Sequence, residues 1–386
     1  MNTRANNTRK PKKKIIIAVI IAVILFGGGG YALQQSMSGQ TLAATQSTVD
    51  STISLETDDE NIDWAALPTK EITLSSQALA ITSGGTYILT GETTAGVTVN
   101  TDANVRIVLS NATIKSSTGA AIYIESADNT VIQLAVGTKN TVEDGSTRSD
   151  QTIDGAIYSA DDLIFNGAGS LIVTSHFADA VVSKDDLKIT SGMFTITSAD
   201  DAIRGKDSVD ILGGTITINA AGDGIKATND VDATKGYVYI KAGTISIKAG
   251  DDAIKGEQKV SVDGGDITIE SSVEAIEAAL ININGGNIKA YASEDGINGS
   301  ASTLTATPVV TFNGGTTDVT VGPGDTDAID SNGDVVVTGG TIIVTAPTSS
   351  FDYDGTAEMT GGTITVNGEQ TTSIPEPSMG GGMRGR

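Results

Sequence analysis

A pattern of short alternating strands returns about every 22 residues along most of this chain, and it constrains the fold more than any other feature. The stretch from Ser198 to Lys226, SADDAIRGKDSVDILGGTITINAAGDGIK, contains one unit and the start of the next. A unit this short cannot bury an apolar face alone, so consecutive units must stack on one another. Equivalent residues of successive units then form columns, and the columns are where functional residues are expected.

Each unit contains three segments that alternate between apolar and polar residues. The first begins with an acidic, a small and a branched aliphatic residue, as at 201–203. The second carries Val209 and Ile211, and the third carries Ile216 and Ile218 after a pair of glycines. Three strands with a period of two, bounded by Gly, Asp or Asn, are typical of one coil of a parallel β-helix. The sequence predicts an all-β fold, a right-handed parallel β-helix over residues 61–368 with three strands in each coil.

Composition excludes several kinds of site. The chain has no cysteine, so it has no disulfide framework, thiolate metal site or cysteine nucleophile. His176 is the single histidine and cannot form a histidine metal site or a typical catalytic triad alone. Aromatic residues make up only 4% of the chain, which suits a thin stack of β-branched layers.

The N-terminal segments indicate export. Residues 1–14 are basic and are predicted to be cytoplasmic, and residues 15–33 form an apolar run. This run is either a transmembrane anchor or the hydrophobic region of a cleaved signal peptide. Residues 34–60, rich in Ser, Thr, Gln and Ala, are predicted to be a flexible spacer, and residues 369–386 a disordered tail. The predicted location is the cell surface, with the C-terminal part extracellular, and the alternative is secretion after cleavage.

The predicted exported part is strongly acidic. All 47 acidic residues follow residue 39, whereas the basic residues of segment 1–14 precede it. Such a surface repels nucleic acid and anionic lipid and attracts divalent cations.

Several motifs resemble a bacterial family of exported carbohydrate-binding-domain proteins whose fold is a pectate-lyase-like right-handed parallel β-helix. The matching segments are 84–91 (GGTYILTG), 183–189 (SKDDLKI), 200–207 (DDAIRGKD) and 222–226 (GDGIK), and the likeness runs from Ile72 to Gly368. The resemblance implies binding of plant cell-wall polysaccharides, cellulose and pectin-type chains, with calcium held by the protein. Many members of that family are lipoproteins, whereas this chain lacks the anchoring cysteine.

One acidic residue in each coil falls at the start of the first strand. Stacked carboxylates would repel one another unless a positive charge lies between them, and calcium prefers such oxygen ligands. Together with the resemblance, this predicts calcium as the cofactor. The alternative is that these residues cap turns by accepting hydrogen bonds from N–H groups two residues on. The candidate metal ligands are Asp179, Asp200, Asp201, Asp223, Asp251, Asp252, Glu274, Asp295 and Asp327.

A basic column accompanies the acidic one, because Arg204, Lys226 and Lys255 each follow the acidic residue by three positions, and Lys206 lies nearby. It forms either an exposed ladder of weak ion pairs or a strip that binds the carboxylates of uronic acids. Tyr237 and Tyr239 are candidates for stacking on sugar rings. They could equally cover the insertion at 228–236.

These columns favour a surface-anchored, non-catalytic protein that binds extracellular, acidic, plant cell-wall polysaccharide with calcium. One alternative is a calcium-dependent lyase of polyuronates with Lys226 or Arg204 as the base, which would need a lowered pKa on this acidic surface. Another is a structural or adhesion rod. Two insertions, 228–236 and 299–308, are candidate walls of a binding site.

Overall fold

The computed structural model describes residues 61–324 and 326–377. The predicted segments 1–14, 15–33 and 34–60, and residues 378–386 of the predicted tail, lie outside these ranges. Within the described ranges, no helix has the length and apolar character needed to cross a membrane.

The described chain is built from strands that fall into three sheets, one for each position in a coil. The first sheet contains Leu79–Ile81, Val97–Asn100, Ile122–Ser126, Gly155–Ser159, Asp179–Ser183, Ile203–Gly205, Ile225–Ala227, Ile297–Gly299, Asp327–Ser331 and Ser349–Tyr353. The second contains Thr69–Leu74, Thr130–Leu134, Leu163–Gly167, Asp186–Ile189, Ser208–Ile211, Tyr237–Ile240, Val309–Phe312, Asp334–Val337 and Ala357–Met359. The third contains Lys139–Glu143, Ser170–Thr174, Met193–Ser198, Thr215–Ala220, Thr244–Lys248, Asp266–Ser271, Asn287–Ala292, Thr316–Val321, Thr341–Thr345 and Thr363–Val366.

Four longer strands turn a corner and belong to two sheets each. Ile254–Val262 and Ile276–Ile283 join the first sheet to the second, and Gly85–Thr93 and Val105–Lys115 join the second to the third. A short 3-10 helix, Trp64–Ala66, precedes the first strand and is capped by the Asp63 side chain.

Strand pairing follows the sequence repeat. Each strand pairs in parallel with the equivalent strand of the next coil, so that Ile203 is opposite Ile225 and Ile225 is opposite Ile254. In the second sheet Val209 is opposite Val238. The three-strand parallel coil predicted from the sequence is therefore confirmed.

The core is a set of apolar columns inside the coils. Ile203, Ile225, Ile254, Val209 and Val238 are all fully buried. Each such side chain contributes about 1.5–3 kcal/mol through removal from water, and many equivalent residues stack above and below. The inward columns predicted from the alternation are confirmed.

Glycine is required where the second strand turns into the third. Gly214 has a φ of 99°, which side chains other than glycine rarely adopt. At Gly213 an added Cβ would lie 2.9 Å from the carbonyl oxygen of Thr190 in the preceding coil. Both the left-handed backbone and the close approach of coils therefore explain the repeated glycine pair.

The C-terminal boundary differs from the prediction. A further strand, Glu369–Thr371, pairs antiparallel with Thr363–Val366, and Ile374 is buried at 7% exposure. The ordered fold thus continues past residue 368, because this antiparallel strand covers part of the exposed edge of the last coil.

Candidate functional site

The acidic column lies at the entry to the first sheet and is largely buried. Asp179, Asp223 and Asp252 retain 3%, 1% and 3% exposure, and Asp201 retains 7%. These side chains turn toward the neighbouring coil. Asp200, by contrast, is exposed.

One carboxylate oxygen of each acidic residue caps the following coil. Asp179 Oδ1 accepts a hydrogen bond from the Asp201 N–H at 3.1 Å, and Asp201 Oδ1 accepts one from the Asp223 N–H at 2.9 Å. Asp223 Oδ1 continues the ladder to the Asp252 N–H at 2.9 Å. The predicted alternative, capping of N–H groups two residues on, is wrong for these residues, because the bonds cross from coil to coil. This ladder stabilises the stacking of coils.

The second oxygen is paired with the basic column. Arg204 Nη2 lies 2.5 Å from Asp179 Oδ2 and 2.5 Å from Asp154 Oδ2. Lys226 Nζ lies 2.5 Å from Asp223 Oδ2. These side chains are only 16% and 28% exposed, so they form neither an exposed ladder nor a free strip for uronates.

Lys255 closes the basic column at its C-terminal end. Its Nζ lies 2.8 Å from Asp252 Oδ2 and also contacts Glu277 Oε2. We call the coils from Asp179 to Lys255 the central coils. In them Asp179, Asp201, Asp223 and Asp252 each lie within 4 Å of an arginine or lysine side chain.

The pKa values of both the acidic and the basic side chains in these columns are raised. Burial raises the pKa of Asp179 to about 7, although Arg204 opposes the shift. Burial alone would lower the pKa of Lys226, but the hydrogen bond to Asp223 and the charge of Asp201 raise it. The pKa of Lys255 is raised as well, against the effect of burial, by Asp252 and Glu277. A general base needs the opposite shift.

The basic column ends after Lys255. Strand register places Glu277, Asn298, Asp330 and Asp352 successively at the position that Lys255 occupies in its own coil. We call the coils from Glu274 to Asp352 the C-terminal coils. Their acidic ladder persists, since the Asp327 N–H donates to Asp295 Oδ1 at 2.8 Å.

Burial also raises the pKa values of carboxyl groups in the C-terminal coils, as it does for Asp179 in the central coils. Burial raises the pKa of Glu274 to about 8, and the charge of Glu277 adds to the shift. Burial also raises the pKa of Asp330 to about 7, with further contributions from Asp295 and Asp327. The central and C-terminal coils thus share the acidic ladder but differ in the side chains of the neighbouring column, which are basic in the central coils and acidic or amide in the C-terminal coils.

Two of the candidate metal groups come together as three carboxylates each. One oxygen from each of Asp179, Asp200 and Asp201 lies within 4.8 Å of the others. The same is true of Asp223, Asp251 and Asp252. In both groups the outer member, Asp200 or Asp251, is exposed and the other two are buried. Gly222 leaves the room for the first group, because an added Cβ there would overlap Asp200 Oδ1.

Glu274, another candidate metal ligand, lies in a third group of carboxylates. Oxygens of Asp252, Glu274 and Glu277 also lie within 4.8 Å of one another. Lys255 already contacts two of these residues. Glu277 was not among the sequence candidates, although its place in the basic column was visible from the repeat.

A fourth acidic cluster was not predicted as a site. Asp162, Asp185 and Asp186 offer oxygens within 4.8 Å at the corner between the first and second strands. Burial, together with a hydrogen bond to Asp207, raises the pKa of Asp185 to about 7. Lys235 contacts Asp207, and hydrogen bonds with Asp185, Lys235 and Asn229 lower the pKa of Asp207 against the effect of burial. The Asp-Asp doublets at this corner are the sequence signal that could have found the cluster.

The aromatic candidates are not suited to sugar stacking. Tyr239 is 9% exposed, and its hydroxyl donates to Asp263 Oδ2 at 2.7 Å. Tyr237 is half-buried beside it, next to the end of the insertion at 228–236. Lys206 is exposed. The interpretation that the tyrosines cover the insertion agrees better with this burial.

The two insertions meet at one corner of the coils. Thr303 Oγ1 donates to the carbonyl oxygen of Asp230 at 3.0 Å. Buried Gln258 links them further, because its Oε1 accepts from Ser302 Oγ at 2.8 Å and its Nε2 donates to the carbonyl oxygen of Asn229 at 3.5 Å. They therefore form one continuous loop layer, and not two separate walls.

Comparison with known proteins places this β-helix in a family. The profile of carbohydrate-binding domain-containing proteins matches residues 75–325. A carbohydrate-binding domain-containing protein of Acetivibrio thermocellus is 32% identical over 133 residues, which cover 32% of this chain and 46% of that protein. The chain thus spans less than half the length of this relative.

A solved structure is similar as well. The gadolinium derivative of a polysaccharide lyase-like protein from C. thermocellum is 33% identical, with a TM-score of 0.50. The match covers 56% of this chain and 86% of that one. Because the family profile matches more than half of the residues, the chain belongs to the family of carbohydrate-binding domain-containing proteins.

Proposed function

We propose that this protein binds extracellular polysaccharide of the plant cell-wall type without catalysing its cleavage. Family membership supports polysaccharide as the ligand class. The observation that carries the non-catalytic part is the pairing of Arg204, Lys226 and Lys255 with buried carboxylates. These pairs raise the pKa of Lys226, so the lysine stays protonated and cannot take a proton from a sugar.

The proposed ligand is acidic, and calcium is the proposed cofactor that joins it to the protein. Asp200 and Asp251 remain exposed beside buried members of their clusters, and neither forms an ion pair within residues 61–324 and 326–377. Carboxylate oxygens at this spacing suit calcium, which takes six to eight oxygen ligands. The buried carboxylates already accept hydrogen bonds from N–H groups and pair with basic side chains. The proposed calcium ligands are therefore the exposed carboxylates of Asp200 and Asp251. A calcium ion there would bind uronate carboxylates.

A lyase is the second candidate, because the similar solved structure is described as polysaccharide lyase-like. The raised pKa of Lys226 counts against it as a base. We further propose attachment to the cell surface through residues 15–33, as the apolar run indicates.

Sedimentation with polysaccharides tests the proposed function. The full-length protein should sediment with insoluble calcium polygalacturonate, and EGTA should release it. An Asp200→Asn, Asp251→Asn double variant should bind at least about tenfold more weakly, since calcium affinity follows the number of charged ligands. Asp266→Asn, an exposed change on the third sheet, is the matched control.

Formation of unsaturated product from polygalacturonate distinguishes the two candidates. The binding function predicts no absorbance of unsaturated uronate at any calcium concentration. Product that disappears in a Lys226→Met variant would establish the lyase instead. Equal sedimentation of the wild type and the double variant would contradict the calcium-bridged site.

A further inference from the structure

Two tyrosines lie side by side on the outer face of the first sheet, in coils that precede the central coils. Tyr123 lies between Ile122 and Ile124, which are fully buried in the core, so its ring points outward. Strand register places Tyr158 of the next coil beside it, with the ring centroids 5.9 Å apart and the ring planes at 58°. Tyr158 packs with Val182 in an apolar cluster that is separate from the core. We call Tyr123 and Tyr158 the tyrosine pair.

The hydroxyl of Tyr158 has hydrogen-bonding capacity that the protein does not use. Tyr158 retains only 9% exposure, yet its hydroxyl has no hydrogen-bond partner among the described residues. The oxygen itself is not enclosed by protein, so it reaches the surface of the patch. Burial and the charge of Asp154 raise the pKa of Tyr158, so the hydroxyl stays protonated and can donate. A largely buried tyrosine usually has a partner for its hydroxyl, and this one is therefore available to a ligand.

A long connection forms a wall beside the tyrosine pair. Residues 144–154 link strand Lys139–Glu143 of the third sheet to strand Gly155–Ser159 of the first, whereas residues 175–178 make the same connection in the next coil. Ile153 of the long connection packs against the same apolar cluster as the tyrosines. The patch is therefore bounded on one side by this loop.

Arg148 fixes the loop in place. Its side chain is fully buried, and its Nη2 lies 2.6 Å from Asp144 Oδ2. The same nitrogen donates to the carbonyl oxygen of Gly155 at 2.9 Å, and the guanidinium lies 5.1 Å from the centroid of the Phe177 ring. A wall that is ordered before a ligand arrives reduces the entropy lost on binding.

The charge around the tyrosine pair is negative. Burial, and then the charges of Glu125 and Asp150, raise the pKa of Tyr123. Both carboxylates belong to exposed residues, and no lysine or arginine pairs with either one in the described part of the chain. Such a surface repels a uronate, whereas carboxylate oxygens accept hydrogen bonds from sugar hydroxyls. The charge therefore favours an uncharged sugar.

We propose that the tyrosine pair and the loop 144–154 form a second polysaccharide-binding site, which takes uncharged sugar rings and needs no calcium. The half-exposed ring of Tyr123 stacks on the apolar CH face of one sugar. Tyr158 donates its hydroxyl hydrogen bond to a sugar oxygen, and Asp150 accepts one from a sugar hydroxyl. This inference rests on the proposed binding of polysaccharide, but the site is separate from the calcium-bridged one.

Calorimetric titration with a soluble mixed-linkage β-glucan in EGTA tests this site. The full-length protein is purified in a detergent without sugar headgroups. Wild type should bind the β-glucan saturably, and polygalacturonate should not compete in EGTA. Tyr123→Ala should weaken binding by about tenfold or more, since truncation of a tyrosine at the centre of a contact has effects of that size. Tyr291→Ala removes an exposed tyrosine from the third sheet and is the matched control, with unchanged affinity.

Tyr158→Phe is the second variant and removes only the hydroxyl, while the ring keeps its place in the cluster. It should weaken β-glucan binding by about threefold to tenfold, the effect of one hydrogen bond. Because this hydroxyl has no partner in the described part of the protein, the Tm should not fall. If Tyr123→Ala does not fold, Tyr158→Phe decides the question.

Three outcomes would overturn the proposal. They are the absence of saturable β-glucan binding in wild type, unchanged affinity in a folded Tyr123→Ala variant, and unchanged affinity in Tyr158→Phe. Sedimentation with calcium polygalacturonate is measured in parallel. Normal sedimentation without β-glucan binding would contradict only the tyrosine site. Equal sedimentation of wild type and Asp200→Asn, Asp251→Asn would contradict only the calcium-bridged site, so failures of the two proposals are distinguishable.

Discussion

The central and C-terminal coils build the same ladder but neutralise it differently. In the central coils, buried Asp179, Asp223 and Asp252 each face an arginine or lysine within 2.8 Å. In the C-terminal coils, the corresponding column contains Glu277, Asn298 and Asp330. The difference shows that the fold demands the carboxylate but not a particular counter-charge.

The carboxylate is needed because a backbone N–H group of the next coil donates a hydrogen bond to it. At the entry to the first strand in five coils, an acidic oxygen of the preceding coil accepts a hydrogen bond from the backbone N–H at 2.8–3.3 Å. The charge that accompanies this oxygen is a cost of burial, which a cation can offset. A repeat can therefore conserve the hydrogen bond while the neutralising group varies from coil to coil.

The largest expected effect comes from removal of the cation at the start of the central coils. Arg204→Leu leaves Asp179 buried without its partner, and Asp154 loses the same contact. Breaking a buried pair from one side costs about 3–5 kcal/mol. The free energy of unfolding in urea should fall by about that amount. A loss below about 1 kcal/mol would mean that the ladder is not held by these pairs.

A smaller effect is expected when the charge is removed but the ladder is kept. Asp223→Asn can still accept the Asp252 N–H through its amide oxygen, whereas Lys226 loses its 2.5 Å partner. Lys226 is 28% exposed and retains Asp201 at 3.5 Å, so we expect a loss of about 1–3 kcal/mol in urea unfolding. Asp223→Ala removes the hydrogen bond too and should cost more. Equal losses in the two variants would argue against a separate role for the ladder bond.

Asp185 offers a third way to offset a buried charge, which is a proton. Its folded pKa of about 7 lies above its ordinary value, so folding binds a proton between about pH 4 and 7. The stability from this group is fully present below about pH 4 and is lost as the pH rises through about 7. Asp185→Asn should reduce the slope of unfolding free energy against pH by up to about one proton. The measurement is urea unfolding at a series of pH values.

Asp186→Asn is the neighbouring control for that pH series. It carries the same change in charge within the same cluster. If it flattens the pH dependence as much as Asp185→Asn does, the proton is not localised on Asp185.

The smallest effect is expected outside the ladder. Lys248 and Glu270 form an ion pair at 3.1 Å on the third sheet, and their side chains are 55% and 44% exposed. Lys248→Met should change the free energy of unfolding by less than about 1 kcal/mol, because water already screens the pair. A loss comparable to that of Arg204→Leu would remove the distinction between buried and exposed pairs.

Much of the fold could be predicted from the repeat. Alternating pairs such as Val209 and Ile211 predicted the inward columns, and the Gly213-Gly214 pair predicted the corner, because period and steric limits are local properties. The candidate site was predicted less completely. Asp179, Asp200 and Asp201 do meet, but Asp154 joins through Arg204 from an earlier coil. No local spacing relates residues 154 and 204.

The amino-acid sequence by itself determined which residues stack, since a repeat with three strands per coil fixes the columns once the coils are parallel. Only the tertiary structure decided the depth and pairing of each side chain. Asp223 turns into the stack while Asp251 stays in solvent, because one oxygen of Asp223 must satisfy an N–H of the next coil. The sequence shows that the column position of Lys255 is occupied by Asn298 two coils later. The consequence of that difference depends on the buried oxygen atoms around Asn298, which only the structure shows.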